Sequence, residues 1–514
     1  MLEGILPGLM DALSFDVLFW VAVGAVFGSI VAAVPGLGGP FAVAMLFPLA
    51  VTLDPLPAIA MIITATAVSG TANTITGVMF NVPGSGSGVA VMFDGYPMAQ
   101  RGEADRAIAA GLFSSLAGGV VGAVLLAVSL PVAMLAVQSF GPAEFVALIV
   151  IALLMINTVQ EGSQLKALIA AAIGMALAFV GQAPDSGELR FTFDTLYLWD
   201  GVALVPMVIG LYAISEMLEL AGRGGTIAHK ASDEFLEARK SRQGGLRRGA
   251  RDVVENWKVC LMSSVIGVAV GFLPGLGGGA AQFAGYGLAA KVGSDRHNYG
   301  KGSPQGVVAA DATNNASDGG ALIPTLAFGI PGSTSMALVL ALLIREGYNP
   351  GRTMIENNSD LLWMIVAVLV IGNVMAVAVS LGLVRLIRGL TFAPVAYIVP
   401  TVLAVSLWGA FATKQSVGDI AVALIFGVVG LVFKKWGFSR ASLVIAFVLA
   451  PLLERHLLLS TKLYGWDFVF RPIVVSMVVI LAVSIAASKA FRVWTERRAQ
   501  RRGVDTPATH DVSP

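Results

Sequence analysis

SGTANTITGVMFNVPGSGS, from Ser69 to Ser87, is a run of small and hydroxylated residues set in otherwise apolar sequence. It recurs almost without a gap as SDGGALIPTLAFGIPGSTS, from Ser317 to Ser335. With the copies slid by the 248 positions that separate Ser69 from Ser317, Ile75 falls on Ile323, Phe80 on Phe328, Pro83-Gly84-Ser85 on Pro331-Gly332-Ser333 and Ser87 on Ser335. A motif written twice in one chain implies a duplicated fold. Its Gly, Pro, Ser, Thr and Asn content breaks helices and exposes backbone groups that hydrocarbon cannot satisfy, so this backbone is expected to line a cavity.

The surrounding composition is that of a membrane protein. Of 514 residues, 56% are hydrophobic and 13% charged, with a mean hydropathy of +0.81. Apolar runs near the ~20 residues needed to cross a bilayer recur too often for a soluble domain, and roughly ten to twelve spanning segments are expected at that length. A net charge of +1 provides no concentrated basic face, which argues against nucleic acid as a partner. The single cysteine, Cys260, permits no internal disulfide, and no Cys/His cluster has zinc spacing. No cofactor is expected, and no metal beyond a possible Na+. The first apolar run, Phe15 to Val34, follows MLEGILPGLMDALS, which lacks the basic n-region of a cleaved signal and reads as part of a retained helix.

The repeat extends outward from the motif. The helix from Phe15 carries the small-xxx-small pair Gly24 and Gly28, suited to close contact in lipid, and runs into Pro35-Gly36-Leu37-Gly38-Gly39. Pro removes a backbone donor and Gly admits conformations closed to other residues, so the helix is expected to break there and resume near Phe41. The same break returns at Pro274-Gly275-Leu276-Gly277-Gly278, behind Gly267 and Gly271. Its offset is 239 rather than 248, so the second half carries nine extra residues, assigned to the loop holding Lys291, Arg296, His297 and Lys301. Further on, Gly95-Tyr96 matches Gly347-Tyr348, and Phe140 and Pro142 match Phe392 and Pro394, at offset 252. The organisation expected is a first membrane repeat over 1–220, a cytoplasmic linker over 221–258, a second repeat over 259–471, an extra transmembrane helix over 472–490 and a cytoplasmic tail over 491–514.

Loop charge sets orientation. The stretch from Arg223 to Lys258 and the tail from Lys489 to Arg502 are rich in Lys and Arg, and the positive-inside rule places both in the cytoplasm. Equivalent loops of the two halves contrast. Leu53-Asp54-Pro55 has no Lys or Arg, while its counterpart has Lys291, Arg296 and Lys301; the mostly acidic loop with Asp185, Glu188, Arg190, Asp194 and Asp200 corresponds to Lys434, Lys435 and Arg440. Arg101/Arg106 and Arg345/Arg352 are both basic and do not discriminate. Equivalent loops on opposite sides mean inversion, and the fold class expected is an all-α polytopic membrane protein of two inverted repeats with broken helices.

Two breaks per half are what a secondary transporter needs at its midplane. Half-helix N-termini present N–H groups and a positive dipole to an anion, while unwound carbonyls hold a cation. The bland alternative is that Pro and Gly merely kink packed helices. Among the polar side chains, Asn73, Asn81 and Asn314 stand out, because a buried amide has four bonding positions to fill; a lone Ser or Thr serves equally well as a bond between helices. Asp311 and Asp318 align with Ile63 and Gly70, and either could be a cation or proton site unless 301–318 is a solvated loop. Asp311, closer to the apolar Val307–Ala310 run, is preferred. Neither motif contains Lys or Arg, and a helix terminus offers an anion about 0.3–1 kcal/mol, up to ~2 in favourable settings. A multiply charged substrate needs more, so co-bound cations and hence symport are expected. No P-loop Lys-Ser/Thr, no HExxH and no His near the motif serines occur, so the chain is not expected to be an enzyme.

The paired Pro-Gly-Leu-Gly-Gly breaks, Asn81-Val82-Pro83-Gly84-Ser85 with its twin Gly329-Ile330-Pro331-Gly332-Ser333, and Gly95-Tyr96-Pro97 resemble the TctA-type large membrane subunit of the tripartite tricarboxylate transporters, from Phe15 to about Ala490. The resemblance implies re-entrant hairpins and a place in the bacterial inner membrane. It also implies a small TctB-like membrane subunit, a periplasmic TctC-like solute-binding protein, and uptake of a tricarboxylate or related carboxylate driven by Na+ or H+. On this basis the carboxylate is expected between the hairpin tips, at Asn81, Gly84, Ser85, Ser87, Gly332, Ser333, Thr334 and Ser335. The cation is expected at carbonyls around Gly36 and Gly275, with Asn73, Asn314 or Asp311. A passive carboxylate channel is the alternative; it would follow the substrate gradient alone and need no binding protein.

Overall fold

Long apolar runs fold into helices because a bilayer offers no water to backbone groups left unbonded. The computed structural model describes residues 2–479 apart from 33, 35–36, 83–85, 160–162, 184–185, 224–243, 275–276 and 391–394. The first half supplies α1 (Ile5–Ala12), α2 (Phe15–Ala32), α3 (Gly39–Ala50), α4 (Pro55–Phe80), α5 (Met92–Gln100), α6 (Ala104–Ser139), α7 (Pro142–Val159) and α8 (Gln164–Ala178). A short ribbon follows, β1 (Gly181–Gln182) antiparallel to β2 (Leu189–Arg190), then α9 (Leu204–Val208), a π-helical stretch (Ile209–Ile214) and α10 (Ser215–Arg223). The second half supplies α11 (Gly245–Glu255), α12 (Trp257–Gly271), α13 (Gly277–Val292), α14 (Pro304–Phe328), α15 (Thr334–Arg345), α16 (Arg352–Asn357), α17 (Ser359–Leu390), α18 (Val395–Lys414), α19 (Val417–Trp436) and α20 (Arg440–Tyr464).

Among the described residues, seven helices are long and apolar enough to cross a membrane, or eight if the bent pair α11–α12 is one span. Several of the segments read from sequence are too short to count. At 1.5 Å per residue, the 12-residue α3 and α15 reach about 18 Å, against a hydrocarbon core of ~30 Å.

Of the shorter helices, α3 and the 16-residue α13 belong to re-entrant hairpins. Gly24 of α2 lies against Met61 and Gly28 against Ala65, so α2 runs beside α4 in the same direction; α3 then starts at Gly39 beside Ser69, midway along α4, and returns to the start of α4 through residues 51–54. The second half repeats the path. Gly267 and Gly271 of α12 lie against Thr313 and Ser317, Gly278 of α13 lies beside Asn314 and Ser317, and Gly293, just past α13, lies beside Gln305 near the start of α14. The nine extra residues fall mainly in the connection over 293–303, against 51–54 in the first half, although α13 is also longer than α3.

The two crossing helices, α4 and α14, run in opposite directions. Thr74 Oγ1 donates to Asp311 Oδ2 at 2.8 Å, while Asn315 Nδ2, one turn later on α14, donates to Thr71 Oγ1, about one turn earlier on α4, at 2.7 Å. Antiparallel crossing of equivalent helices is the geometry of an inverted duplication. The packing partners obey it too: α2 packs on α4 as α12 packs on α14, and α6 packs on α14 as α17 packs on α4. Within the stretch expected to be a linker, α11 packs on α6, where Arg106 makes a two-point ion pair with Asp252 at 2.7 Å. Residues 472–479 are helical, and the rest of the extra helix and the tail lie outside the described residues.

The chain divides into two compact units, Met1–Ser139 with Ala152–Leu452, and Phe140–Ile151 with Leu453–Pro514. The first holds the crossing helices and all four broken segments. In the second, the buried Glu144 pairs with Arg471 at 2.9 Å and accepts the Gly141 N–H at 2.8 Å, so a carboxylate in an apolar helix start has both charge and donor compensation.

Candidate functional site

A cavity of about 710 Å³ lies where the hairpin tips meet the crossing helices. Its volume falls within the range of roughly 300–1,000 Å³ usual for small-molecule sites. The first half contributes Gly38, Gly39 and Pro40 at the start of α3, Thr66, Ser69 and Gly70 on α4, and Ser87 and Val89 from the second break. The second half contributes Gly277, Gly278 and Gly279 at the start of α13, Asn314, Ser317 and Asp318 on α14, and Gly332, Ser333, Thr334 and Ser335 from its second break. Phe283, Ala441 and Ile445 add apolar wall.

The lining is pseudosymmetric because the sequence is. Thr66 aligns with Asn314, Ser69 with Ser317, Ser87 with Ser335 and Gly39 with Gly278. The halves also interlock. A Cβ on Gly39 would stand 2.7 Å from Ser69 Oγ and 3.1 Å from Ser335 Oγ, and one on Gly278 would stand 2.5 Å from Asn314 Oδ1 and 3.1 Å from Ser87 Cβ. Each half's first break is therefore closed by its own crossing helix and by the other half's second break. At both tips a bare Cα is what permits the approach.

Three helix N-termini converge here, those of α3, α13 and α15. Gly38, which precedes α3, offers no side-chain cap, while Ser333 Oγ caps α15 by accepting the Met336 N–H at 3.3 Å. N–H groups of a first turn have no partner within their helix, and the dipole there favours an anion. The hydroxyls divide into two kinds. Ser69 donates to Thr66 O at 2.7 Å and Ser317 donates to Asn314 O at 2.6 Å, so both commit their protons one turn back and present lone pairs. Asn314 is 3% exposed, and its Nδ2 has no partner, an unused donor in the cavity wall. Among the described residues no Lys, Arg or His lines the cavity, and Asp318 is the single charged one that does.

Of the residues expected to bind substrate, Ser87, Gly332, Ser333, Thr334 and Ser335 line this cavity. Asn81 does not: it terminates α4 in the left-handed conformation, φ 52°, and is exposed. Gly84 and Ser85 lie outside the described residues. Of those expected to hold a cation, Asn314 lines the cavity, while Asn73 is buried beside Gly88 and Asp311 is buried under Thr74, both off the lining. Gly36 and Gly275 lie outside the described residues. Sequence reasoning overlooked Thr66, Gly39 and Gly278 as lining, and Asn373, whose Oδ1 accepts from Asn315 Nδ2 at 2.8 Å. The signal for Asn373 was present, an amide ending the apolar run Leu361–Gly372.

A family model described as the tripartite tricarboxylate transporter TctA family matches residues 18–445. An uncharacterised 52.8 kDa protein in the TAR-I ttuC' 3' region of Agrobacterium vitis is 30% identical over 488 residues, which cover 93% of this chain and 94% of that protein. An uncharacterised protein in the TAR-II ttuC' 3' region of the same organism is 31% identical over 214 residues, covering 41% of this chain and 88% of the other. No solved structure matches.

Proposed function

The chain belongs to the tripartite tricarboxylate transporter TctA family, and from that membership we propose that it is the permease subunit of a binding-protein-dependent importer, carrying a tricarboxylate or related carboxylate by cation symport. The observation that carries this reading is the cavity between two antiparallel crossing helices, fed by three helix N-termini and lacking a fixed cation. Its N–H groups, the free Asn314 amide and the hydroxyls of Ser87, Ser333, Thr334 and Ser335 offer many weak donors to carboxylate oxygens. At about 0.3–1 kcal/mol per helix terminus these donors alone fall short of a multiply charged substrate, and a co-transported cation supplies the remaining compensation. Asn314 moves from the cation set to the substrate set, since an unpartnered N–H donor suits a carboxylate and not a cation.

In this reading a periplasmic solute-binding protein delivers the substrate, a small membrane subunit completes the permease, and the hairpin tips move between two faces of the bacterial inner membrane. The central basic loop and the C-terminus are cytoplasmic. The chain performs transport and not chemistry on the substrate. Proteoliposomes holding the chain and its two partners, given labelled citrate, malate and succinate with Na+ and proton gradients imposed separately, test it. Accumulation above equilibrium that needs a gradient and the binding protein is expected. Equilibration without either would establish a channel instead.

A further inference from the structure

Among the aligned positions of which both line the cavity, one pair differs in charge. Where the first half has Gly70, the second has Asp318, and both line the same space. Asp318 makes no hydrogen bond and no ion pair among the described residues, so a carboxylate stands alone inside a cavity whose other features select anions. Its surroundings offer no relief. It shares the cavity with Gly38, Gly39, Gly278 and Gly279 from α3 and α13, with Thr66 and Ser69 from α4, and with the hydroxyls of the 332–335 break, none of which titrates. The titratable or charged groups on neighbouring elements are engaged elsewhere: Asp311 with Thr74, Tyr212 with Thr334, and Arg440, next to Ala441, with Glu216.

An ionised Asp318 beside an anionic substrate would place two like charges in one water-poor space, an arrangement that drives one of them to neutrality. A metal cation needs several oxygens around it; among the described residues no group of three His, Cys, Asp or Glu side chains could hold one, and the sodium arm of the test below decides whether carbonyls and hydroxyls do so instead. A proton needs a single carboxylate. We propose that Asp318 is the site of the co-transported proton, carrying it while the carboxylate substrate occupies the cavity and releasing it when substrate leaves toward the cytoplasm. The inference rests on the transport reading above and makes the symported cation H+.

The test uses the full complex in proteoliposomes, with labelled citrate, malate and succinate as probes and valinomycin with balanced potassium to hold the membrane potential at zero. In the unaltered protein, acid outside is expected to drive accumulation of about tenfold per pH unit for one proton per substrate. Asp318→Asn should abolish accumulation yet retain exchange of internal unlabelled for external labelled substrate, because a permanently neutral group permits the loaded carrier to move but not the empty one to reset. Asp318→Glu should restore part of the accumulation. Persistence of pH-driven accumulation in Asp318→Asn, accumulation of the unaltered protein on a Na+ gradient alone, or loss of exchange together with uptake in Asp318→Asn would each overturn the assignment. Size-exclusion profile and thermal midpoint in detergent identify a variant that has not folded, in which case the Na+ and proton arms on the unaltered protein decide. Gradient-independent equilibration of the unaltered protein would instead refute symport itself, which keeps the two failures distinct.

Discussion

Gly118 and Gly122 of α6 face Ala312 and Ala316 of α14 so closely that a methyl on Gly118 would run into the Ala312 carbonyl. That obstacle is backbone and cannot swing aside, so Gly118→Ala is expected to cost about 1–3 kcal/mol, the usual range for overpacking. The check is the thermal midpoint of the purified chain in detergent, with Gly287→Ala as control: nothing stands within 4 Å of a Cβ there, and the midpoint should stay put. The small-residue spacing of Gly118, Gly119 and Gly122 was legible in the sequence, but the partner was not, because such spacing says that a helix approaches and not which one. The two aspartates teach the same lesson. Asp311 and Asp318 are seven residues apart on one helix, so they share a face, yet Asp311 sits against Thr74 and Asp318 opens into the cavity. Depth along a helix depends on where the neighbouring hairpin tips end, which no local pattern encodes. Asp94 was passed over for the Gly95-Tyr96-Pro97 that follows it, although its carboxylate accepts the Gly302 and Ser303 N–H groups at 2.8 Å each and the Tyr286 hydroxyl at 2.9 Å.

The helix breaks were readable because their causes are local. Proline and glycine placed together weaken a helix locally, and α4 and α14 stop just before their Pro-Gly pairs on left-handed residues, Asn81 at φ 52° and Gly329 at φ 67°. Which helices then cross was not readable, since it depends on contacts between positions some 240 residues apart, such as Asn315 with Thr71. That crossing has a direct consequence. In a background lacking the buried Cys260, Thr71→Cys with Asn315→Cys and Thr74→Cys with Asp311→Cys should each form a cross-link on mild oxidation. The swapped pairs, Thr71→Cys with Asp311→Cys and Thr74→Cys with Asn315→Cys, should link far more slowly. Faster linking of the swapped pairs would mean that α4 and α14 run parallel, and the duplicated hairpins would then approach from one side. The measurement is gel mobility of the chain after a protease cut in the polar stretch between the halves.

For the molecule as a whole, direction of the crossing helices and sidedness of the loops are two faces of one property. Antiparallel α4 and α14 begin on opposite sides of the membrane, so the connection over 51–54 and its equivalent over 293–303 must face opposite compartments. Charge says the same independently: the second carries Arg296 and Lys301, the first no Lys or Arg, and basic loops stay in the cytoplasm. Thr52→Cys and His297→Cys, both at exposed positions, can therefore be read with a membrane-impermeant maleimide in whole cells. Thr52→Cys should label from outside, and His297→Cys only after the membrane is opened. This arrangement matters to transport because hairpins entering from opposite faces bring their N-termini to a common depth, beside the middle of α4 and α14 and not at either end. In the transport reading proposed above, a substrate held there would be equally far from both compartments, and displacement of the tips would open one path while closing the other. Labelling of both positions from the same side would make the duplication parallel, leave the cavity reached by hairpins of one face, and remove the symmetry on which alternating access at this site depends.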